Sequence, residues 1–398
     1  MDAIEKLSFM REDMALEVTE QSLTLPEITY LPGRDEHNEG RIRVDDRRQL
    51  PISYVSAGAG GPMPLLKTAL TTVCENNCRY CSFSCERDSR RQSFSPDEMA
   101  AVFMAVIRKG YVKGIFLSSG IVGSGAHTQD KILATGEILR YRYRFDGYLH
   151  MKIMPGAEKA QVYRAMQLAD RVSINLESPT SSALGEIAPK KPALPQLDER
   201  LVWVNQIREH MPPSLGWKGR WPSSCTQFVV GSGEPSTDAD FLSLTYELHN
   251  LRKLTRIYFS RFNPIPGTPF EGRPKQEPLR VLRLYQSAFL MRDYGYAEDE
   301  MCVQPDGFLD IHKDPKISFA ERQFLHQPLE VNQADYEQLI RIPGIGPKTA
   351  KTILRARKQH TILDAAGLKK LGVNVERAIP FVLMDGKKAD RQLSFSFY

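Results

Sequence analysis

Residues 65–81 join an apolar run to a loop of closely spaced cysteines, and they read Leu65-Leu66-Lys67-Thr68-Ala69-Leu70-Thr71-Thr72-Val73-Cys74-Glu75-Asn76-Asn77-Cys78-Arg79-Tyr80-Cys81. The apolar part, residues 65–73, has the length and composition of a buried β-strand. The cysteines follow at once with the spacing C-x3-C-x2-C, inside a polar loop. We therefore expect a functional site directly after this strand.

The strand is the first of a regular series of strands and helices. Six short, β-rich runs are predicted, at residues 65–73, 114–119, 147–153, 171–177, 225–230 and 256–262. Helical stretches separate them, at residues 96–108, 131–143, 158–169, 198–209 and 238–251. This alternation is typical of parallel β/α units, whose ligands bind at the carboxyl ends of the strands. The predicted fold class is α/β, with the cysteine loop at the ligand-binding end.

The composition is that of a soluble globular protein in a reducing compartment. The chain has 398 residues, of which 41% are hydrophobic and 25% charged, as in ordinary globular domains. No apolar run approaches the length of a membrane span, and the first residues lack the pattern of a secretion signal. Six cysteines, three of them clustered, do not suggest a disulfide framework. We expect a cytoplasmic protein with no membrane partner.

The clustered cysteines have the residue type of iron–sulfur ligands. Four thiolates close a cubane cluster, so Cys74, Cys78 and Cys81 alone would leave one iron open to a ligand that is not protein. A zinc knuckle or a disulfide pair is the alternative. Zinc sites usually show paired C-x2-C units or a Cys/His set, and the sequence has no second pair and no His nearby. The cluster is the better interpretation.

This spacing, with the aromatic Tyr80 before the last cysteine, resembles the radical S-adenosylmethionine (SAM) superfamily. The resemblance implies a partial (β/α)6 barrel that holds a [4Fe–4S] cluster on the three cysteines. It also implies that SAM binds the open iron and that one electron cleaves it to a 5′-deoxyadenosyl radical. Tyr80 matches the aromatic position near the adenine, and an ordinary loop aromatic is the alternative. An electron donor such as flavodoxin or ferredoxin is an expected partner.

Two further strands carry residues that match SAM contacts. Alternation along the fourth strand places Ser173, Asn175 and Glu177 on one face, which would point into the barrel. The pair Asn175 and Glu177 is similar to the Asn-x-acid ribose motif of some radical SAM enzymes, and a structural polar network is the alternative. The second strand ends in three residues that stand at the place of the superfamily's Gly-Gly-Glu motif: Ser118, Ser119 and Gly120. Backbone contact with the SAM amino group survives this departure, but any role of the Glu is lost.

Several other residues are weaker candidates. His150 and Lys152 share a face of the third strand, where Lys152 would pair with Glu177 or with a substrate phosphate. Gln227 lies on the fifth strand. The roles of three isolated cysteines stay open, with an inert thiol as the simplest interpretation of each: Cys85, Cys225 and Cys302. No catalytic side chain is identified.

The positive charge of the chain is concentrated at its C-terminal end. Residues 328–398 hold 12 Lys and Arg against 7 Asp and Glu, and the remainder is neutral, so this segment carries the whole net charge of +5. Such a local excess predicts a polyanionic partner.

A tight turn, Pro343-Gly344-Ile345-Gly346, lies between two helical stretches of this segment and resembles the helix-hairpin-helix motif. Glycines there permit positive φ and close backbone approach, and helix N-terminal amides bind phosphate. The resemblance implies sequence-independent binding of the DNA backbone by Gly344, Gly346, Lys348 and Lys351. A degraded second copy is expected at residues 368–378, with Val-Asn in place of Ile-Gly. A hairpin that makes only protein contacts is the alternative.

The last residues form an apolar tail after a polar linker. Gln392, Phe395 and Phe397 are similar to the short peptide by which bacterial repair proteins bind the replication sliding clamp. Packing of the tail onto the barrel is the alternative.

Residues 65–385 as a whole resemble the bacterial DNA modification/repair radical SAM proteins with a C-terminal helix-hairpin-helix domain. Four stretches carry this likeness, at residues 116–121, 153–156, 175–180 and 331–335. The implied function is a radical SAM enzyme that modifies or repairs DNA nucleotides. An RNA-modifying radical SAM enzyme and a non-catalytic iron–sulfur redox sensor that binds DNA are the alternatives.

The expected domain organisation has five parts. A polar N-terminal extension covers residues 1–64 and ends in a flexible connector at residues 57–64. The barrel follows at residues 65–300, with a further helix at residues 279–292. The chain then continues with an irregular connector, the small all-α hairpin domain and the tail: residues 301–327, 328–385 and 386–398.

Overall fold

The computed structural model of the protein describes residues 3–15, 50–56, 62–233 and 236–388. The chain forms two compact units. The first comprises Met1–Ser236 and Glu247–Val281, and the second comprises Thr237–Tyr246 and Leu282–Tyr398. The predicted domain boundaries remain predictions. None of the helices in these ranges is long and apolar enough to cross a membrane.

A seven-stranded sheet forms the centre of the first unit, and its strands lie side by side in chain order. The first strand pairs antiparallel with the second, and all later neighbours pair in parallel. The strands are β1 (Ile52–Ser56), β2 (Pro62–Ala69), β3 (Gly114–Ser118), β4 (Tyr148–Lys152), β5 (Arg171–Ser173), β6 (Ser223–Val230) and β7 (Arg256–Arg261). The six parallel strands are the six that the sequence predicts.

Helices precede, connect and follow these strands. They are α1 (Ala3–Ala15), α2 (Pro96–Arg108), α3 (Gly125–Glu137), α4 (Lys159–Leu168), α5 (Ser181–Ile187), α6 (Leu194–His210), α7 (Asp238–Asn250) and α8 (Pro278–Tyr294). A π-helical turn, Ile138–Arg142, extends α3. In α2, Ser95 accepts a hydrogen bond from the backbone N–H of Glu98 at the N-terminus, as N-cap residues do. Met99 and Phe103, one turn apart, are fully buried.

The strand β5 is shorter than predicted. The sequence predicts a strand to Glu177, but β5 ends at Ser173. Beyond it, the hydroxyl of Thr226 donates to the carbonyl of Ile174 and accepts from the N–H of Leu176. This side chain therefore takes the place of ladder bonds between β5 and β6. Glu177 has φ +66, in the left-handed region, and returns to the sheet through an isolated bridge to Phe228.

The N-terminal segment adds two elements that the sequence does not predict, α1 and β1. In α1, Leu7 and Met10 are buried, and the helix packs against β2 and α2. The strand β2 begins at Pro62, so the flexible connector does not include residues 62–64. Residues 57–61 lie outside the described ranges.

The second unit is helical apart from two short parallel strands. Its further elements are α9 (Pro315–Phe324), β8 (Leu329–Glu330), α10 (Tyr336–Arg341), α11 (Pro347–Ala356), α12 (Ala365–Lys370), α13 (Val375–Ala378) and β9 (Val382–Leu383). Their apolar side chains form one core, which includes Ala320, Leu339, Ile353, Leu368 and Phe381.

The sequence predicts an irregular connector at residues 301–327, but the helix α9 lies within it. Asp314 caps this helix, because its carboxylate accepts a hydrogen bond from the N–H of Lys316. Ala320 places α9 in the core of the second unit. The predicted fold class, a partial (β/α)6 barrel followed by a small helical domain, is confirmed.

Candidate functional site

The predicted cluster ligands and SAM contacts line a single cavity in the first unit. Nine predicted residues line it: Cys74, Cys78, Tyr80, Cys81, Ser118, Ser119, Gly120, Asn175 and Glu177. Lys152 and Gln227 line it as well. Most of these residues follow or end β2, β3, β4 and β5, and Gln227 lies within β6. Parallel strands in chain order bring their carboxyl ends to one edge, which explains why residues so distant in sequence meet.

The cysteine loop is held at both ends by Arg91. Its guanidinium donates to the carbonyl of Thr72, which precedes the cysteines, at 2.8 Å. It also donates to the carbonyls of Ser84 and Arg87, which follow them, at 2.6 and 2.7 Å. One planar, charged side chain thus fixes the entry and the exit of the loop.

Two of the cysteine sulfurs each accept a hydrogen bond from a backbone amide. The N–H of Ile121 donates to Sγ of Cys74, and the N–H of Phe83 donates to Sγ of Cys81, both at 3.4 Å. Hydrogen bonds of this kind stabilise a thiolate and tune a cluster bound to it. Gly120 makes the first of these contacts possible, because a Cβ there would overlap the carbonyl group of Val73.

The three cysteines line one cavity. Within the described ranges, no group of three or more His, Cys, Asp and Glu side chains is arranged to hold a single metal ion. A zinc ion needs its ligands around one centre, whereas a cubane cluster binds each thiolate at a different iron. Three thiols that line one cavity are a donor set that fits a cubane cluster with one iron left open. Burial raises the pKa of the Cys78 thiol to about 11, and the Lys191 ammonium acts in the opposite direction.

Glu177 forms a buried ion pair that the sequence did not reveal. Its Oε1 lies 2.5 Å from Nζ of Lys191, and the two side chains are only 4% and 9% exposed. The sequence offered Lys152 as the partner of Glu177, and the structure shows Lys191 in that place. Lys191 follows α5, which the sequence did not predict, so no pattern pointed to it. Burial lowers the pKa of Lys191, but Glu177 and the nearby thiols raise it by more, so the ammonium stays charged.

The carboxylate of Glu177 also interacts with the Tyr80 hydroxyl. Oε2 is buried and has no hydrogen-bond partner among the described residues. A buried carboxylate oxygen without a donor is costly, and the ribose hydroxyls of SAM would supply donors. Burial is the main cause that raises the pKa of the Tyr80 hydroxyl well above its usual value, and the negative charge of Glu177 raises it further. The hydroxyl therefore stays protonated. The residues present therefore fit a cluster with SAM beside it.

His150 does not line the cavity and packs within the first unit. Its ring lies 4.4 Å from that of Phe116, and Nε2 is 3.9 Å from Sγ of Cys225. Burial lowers the pKa of His150 well below its usual value and raises that of Cys225 to about 11. Both groups are therefore neutral near pH 7, which indicates a packing role.

The end of β7 adds polar groups that the sequence analysis missed. Arg261 and Asn263 line the cavity. Nε of Arg261 and Oδ1 of Asn263 are buried, and neither atom has a hydrogen-bond partner among the described residues. An unpartnered donor and an unpartnered acceptor thus stand two residues apart in the wall. The strand itself was predicted, but no sequence pattern indicated that the residues at its end line the same cavity as the cysteine loop.

In the second unit, the first hairpin has the predicted helix–turn–helix form. Gly344 has φ +85, and a Cβ there would overlap the backbone carbonyl of Asn374. Gly346 is the N-cap of α11 and has φ −105, with no side-chain cap. The expectation of positive φ is therefore correct for Gly344 and wrong for Gly346, whose Cβ position meets only the Tyr294 hydroxyl, at 3.5 Å.

The second hairpin packs against the first. It consists of α12, a turn at Gly372 with φ +86, and α13, which Asn374 caps. The N–H of Asn374 donates to the carbonyl of Gly344 at 3.1 Å. The degraded copy expected at residues 368–378 therefore has the geometry of a hairpin and supports the first one.

The remaining predicted residues are distributed as follows. Lys348 and Lys351 are exposed on the first turns of α11. Cys85 is exposed, and Nζ of Lys190 lies 4.0 Å from its sulfur. Cys302 is half-buried in the second unit. The predicted clamp-binding peptide, residues 392–397, lies outside the described residues.

Two family models match the chain. Residues 68–209 match the Radical SAM superfamily, and residues 326–370 match the helix-hairpin-helix motif. The first match covers the cysteine loop and the residues that follow β3 and β5. Members of that superfamily use a [4Fe–4S] cluster and SAM, so the predicted enzyme class and cofactors are confirmed at the level of this domain.

Parts of several solved structures are similar to part of this chain. Methylornithine synthase (PylB) shares 13% identity and a TM-score of 0.43, over 57% of this chain and 61% of its own. The FeFe-hydrogenase maturase HydG from Carboxydothermus hydrogenoformans shares 18% identity and a TM-score of 0.43, over 57% and 50%. The cobalamin-dependent enzyme OxsB shares 13% identity and a TM-score of 0.35, over 74% and 45%. The chain thus covers less than two thirds of each of these proteins. No curated protein matches it.

Proposed function

We propose that this protein is a radical SAM enzyme that modifies or repairs DNA by abstracting a hydrogen atom from a nucleotide. The proposal depends above all on one observation: the three cysteines and six predicted SAM residues line one cavity, in a chain that also has a paired hairpin. The bound cluster and SAM supply the electron and the 5′-deoxyadenosyl radical, with flavodoxin or ferredoxin as the electron donor.

The residues of the cavity have distinct roles in this proposal. Cys74, Cys78 and Cys81 hold the cluster. Asn175 and Glu177 bind the SAM ribose, with Oε2 of Glu177 accepting from a hydroxyl. Lys191 compensates the buried charge of Glu177 and fixes the orientation of its carboxylate.

The other cations of the cavity favour an anionic substrate. Neither Lys152 nor Arg261 forms an ion pair with any residue that the structure describes. Together with Lys191 they outnumber the single carboxylate of the wall, that of Glu177. A cation in a cavity needs a counter-charge. A nucleotide phosphate would supply it, and the unpaired groups of Arg261 and Asn263 would contact sugar or base.

The second unit would hold the DNA backbone. Gly346 leaves the first amides of α11 without a side-chain cap, and Lys348 and Lys351 add exposed charge beside them. Amides and lysines at a helix N-terminus bind phosphate without reading sequence. An enzyme that acts on a nucleotide within a duplex must extrude it. The hairpin would then bind the DNA backbone, and the cavity would receive the extruded nucleotide. Binding of the sliding clamp by residues 392–397 is a further part of the proposal.

The test is anaerobic turnover with alternative nucleic acids. Reconstituted, chemically reduced protein is incubated with SAM and either duplex DNA, transfer RNA or neither, and 5′-deoxyadenosine and all nucleosides are measured by mass spectrometry. We expect more 5′-deoxyadenosine and an altered nucleoside with DNA. An altered nucleoside only in RNA would favour the RNA-modifying enzyme. Absence of any SAM cleavage by cluster-loaded protein would favour the redox sensor.

A further inference from the structure

Lys316, in the first turn of α9, is a buried lysine that contacts the first hairpin. It is 9% exposed, and its Nζ donates a hydrogen bond to the backbone carbonyl of Ile345 at 2.6 Å. The same ammonium lies 4.6 Å from the centre of the Tyr294 ring. Ile345 stands between the two glycines of the turn, so the contact is made at the tip of the hairpin.

The surroundings of Lys316 do not neutralise its charge. Asp314, whose charge acts on the pKa of Lys316, caps α9 and forms an ion pair with Arg377 at 2.8 Å. Lys316 itself forms no ion pair within the described part of the chain. Burying an ammonium without a counter-ion is unfavourable, and an apolar side chain would fill the same space at lower cost. The charge therefore serves something other than the stability of the core.

The hydrogen bond to Ile345 fixes the orientation of the next amide. Carbonyl and N–H of a trans peptide point in opposite directions. Because the carbonyl of Ile345 points to Lys316, the N–H of Gly346 points away from it. That N–H makes no hydrogen bond within the described residues, and it belongs to the N-cap of α11. The lysine thus orients an unpaired donor at the end of the helix where a phosphate would bind.

We propose that Lys316 is a positioning residue for the phosphate site of the first hairpin. Its ammonium holds the Ile345–Gly346 peptide with the N–H toward the DNA phosphate, and its positive charge lies behind that site and strengthens the attraction. This inference depends on the proposed binding of DNA. It assigns a role to α9, outside the residues that match the hairpin motif.

The charge state of Lys316 makes the proposal testable by pH. Burial lowers the pKa of Lys316 to about 7; Asp314 on α9 acts in the opposite direction and Arg377 on α13 in the same one. Tyr294, on α8, stays neutral, because burial raises its pKa. Lys316 is protonated below pH 7 and neutral above it, so affinity for DNA falls as the pH rises through that range. A bound phosphate favours the charged form, and binding above pH 7 therefore takes up a proton.

The experiment measures the affinity of the full-length protein for a fluorescently labelled DNA duplex of arbitrary sequence, at constant salt, between about pH 6 and pH 9. For the wild type we expect a loss of about tenfold across this range, which is the size of one unit of pKa shift on binding. Lys316→Met should bind weakly at every pH. Lys316→Arg should bind tightly and lose the pH dependence, because a guanidinium stays charged.

Lys313→Met is the matched control. Lys313 is a half-buried neighbour that pairs with Glu321 at 2.8 Å, and its loss should leave the pH profile of DNA binding unchanged. Proton uptake on binding, measured calorimetrically in two buffers of different ionisation enthalpy, gives a second readout for wild-type protein. Thermal denaturation of each variant identifies one that fails to fold.

Two outcomes separate this inference from the proposed function. Wild-type protein that binds no DNA would overturn both. Wild-type protein that binds DNA with the same affinity at every pH and takes up no proton would overturn the role of Lys316 and leave the proposed function intact. Unchanged affinity of a folded Lys316→Met variant at pH 6 would have the same meaning.

Discussion

The cysteine cavity of the first unit and the hairpin pair of the second are built in opposite ways. In the cavity, side chains carry the chemistry: three thiols, a buried ion pair and several buried polar atoms that have no hydrogen-bond partner in the described part of the chain. In the hairpins, the backbone carries it: a turn at Gly344 with positive φ, packed on the backbone of Asn374, and an uncapped helix start at Gly346. The lysines beside that helix start are exposed.

This difference predicts how each site responds to change. Buried, coupled side chains lose function abruptly when one is removed, because the remaining partners are left uncompensated. A surface site made of amides and exposed charges loses affinity in small, nearly additive steps, except where the backbone turn itself is blocked.

The largest effect is expected at the cluster ligands. Changing Cys74, Cys78 or Cys81 to Ala should abolish reductive SAM cleavage, because a cubane with only two thiolates is not retained in this loop. The measurement is iron content and 5′-deoxyadenosine after anaerobic reconstitution. Cys85→Ala is the control and should keep both. An indispensable Cys85 together with a dispensable member of the three would show that the ligand assignment is wrong.

The Glu177–Lys191 pair should give the next largest effect. Glu177→Gln leaves the Lys191 ammonium buried without its partner, which costs about 3–5 kcal/mol of folding free energy. It should also weaken SAM binding, measured by calorimetry on cluster-loaded protein. Removing both charges, in Glu177→Gln with Lys191→Met, should recover much of the stability but not the SAM affinity.

That double variant separates two roles of Glu177. If it recovered SAM affinity along with stability, the pair would be a structural network and not a ribose contact. Chemical denaturation gives the stability, and iron content shows that the cluster site is intact.

In the hairpin, the backbone turn is the most sensitive point. Gly344→Val places a β-branched side chain at positive φ and against the carbonyl of Asn374, which costs about 1–3 kcal/mol of strain. DNA affinity should fall at least tenfold, while SAM cleavage without DNA is kept. Gly295→Val is the matched control, since Gly295 also has positive φ, at +66, but no described atom lies within 4 Å of its Cβ position. Equal losses in both variants would contradict the turn geometry, and no loss in either would contradict the hairpin assignment.

The smallest effects belong to the exposed lysines. Lys348→Ala and Lys351→Ala should each weaken DNA binding by a few fold, equally for all sequences. Each should also reduce the slope of log affinity against log salt by about one. A loss that depended on DNA sequence would indicate base contacts in place of phosphate contacts.

The parts of the molecule that the sequence predicts are those fixed by local pattern. The six parallel strands follow from short apolar runs, and the helix α2 was predicted with both of its ends. The cysteine loop and the turn at residues 343–346 are visible because their spacing is local.

The parts it does not predict depend on tertiary contacts. The strand β5 ends early because a side chain of β6, Thr226, replaces its hydrogen bonds. Lys191 becomes a site residue only when the chain after α5 returns to Glu177. The helix α9 is short and rich in charge. The role proposed for its Lys316 depends on a tertiary hydrogen bond to the carbonyl of Ile345, which no local pattern reveals.

The central claim is that this protein abstracts hydrogen from a DNA nucleotide, and isotope transfer tests it most directly. Reduced, cluster-loaded protein is incubated with unlabelled SAM and with DNA that carries deuterium on its sugars and bases, and the products are examined by mass spectrometry. We expect deuterium in 5′-deoxyadenosine, or in recovered SAM if the cofactor is regenerated. Formation of 5′-deoxyadenosine without deuterium, from a protein that binds the labelled DNA, would contradict DNA as the substrate.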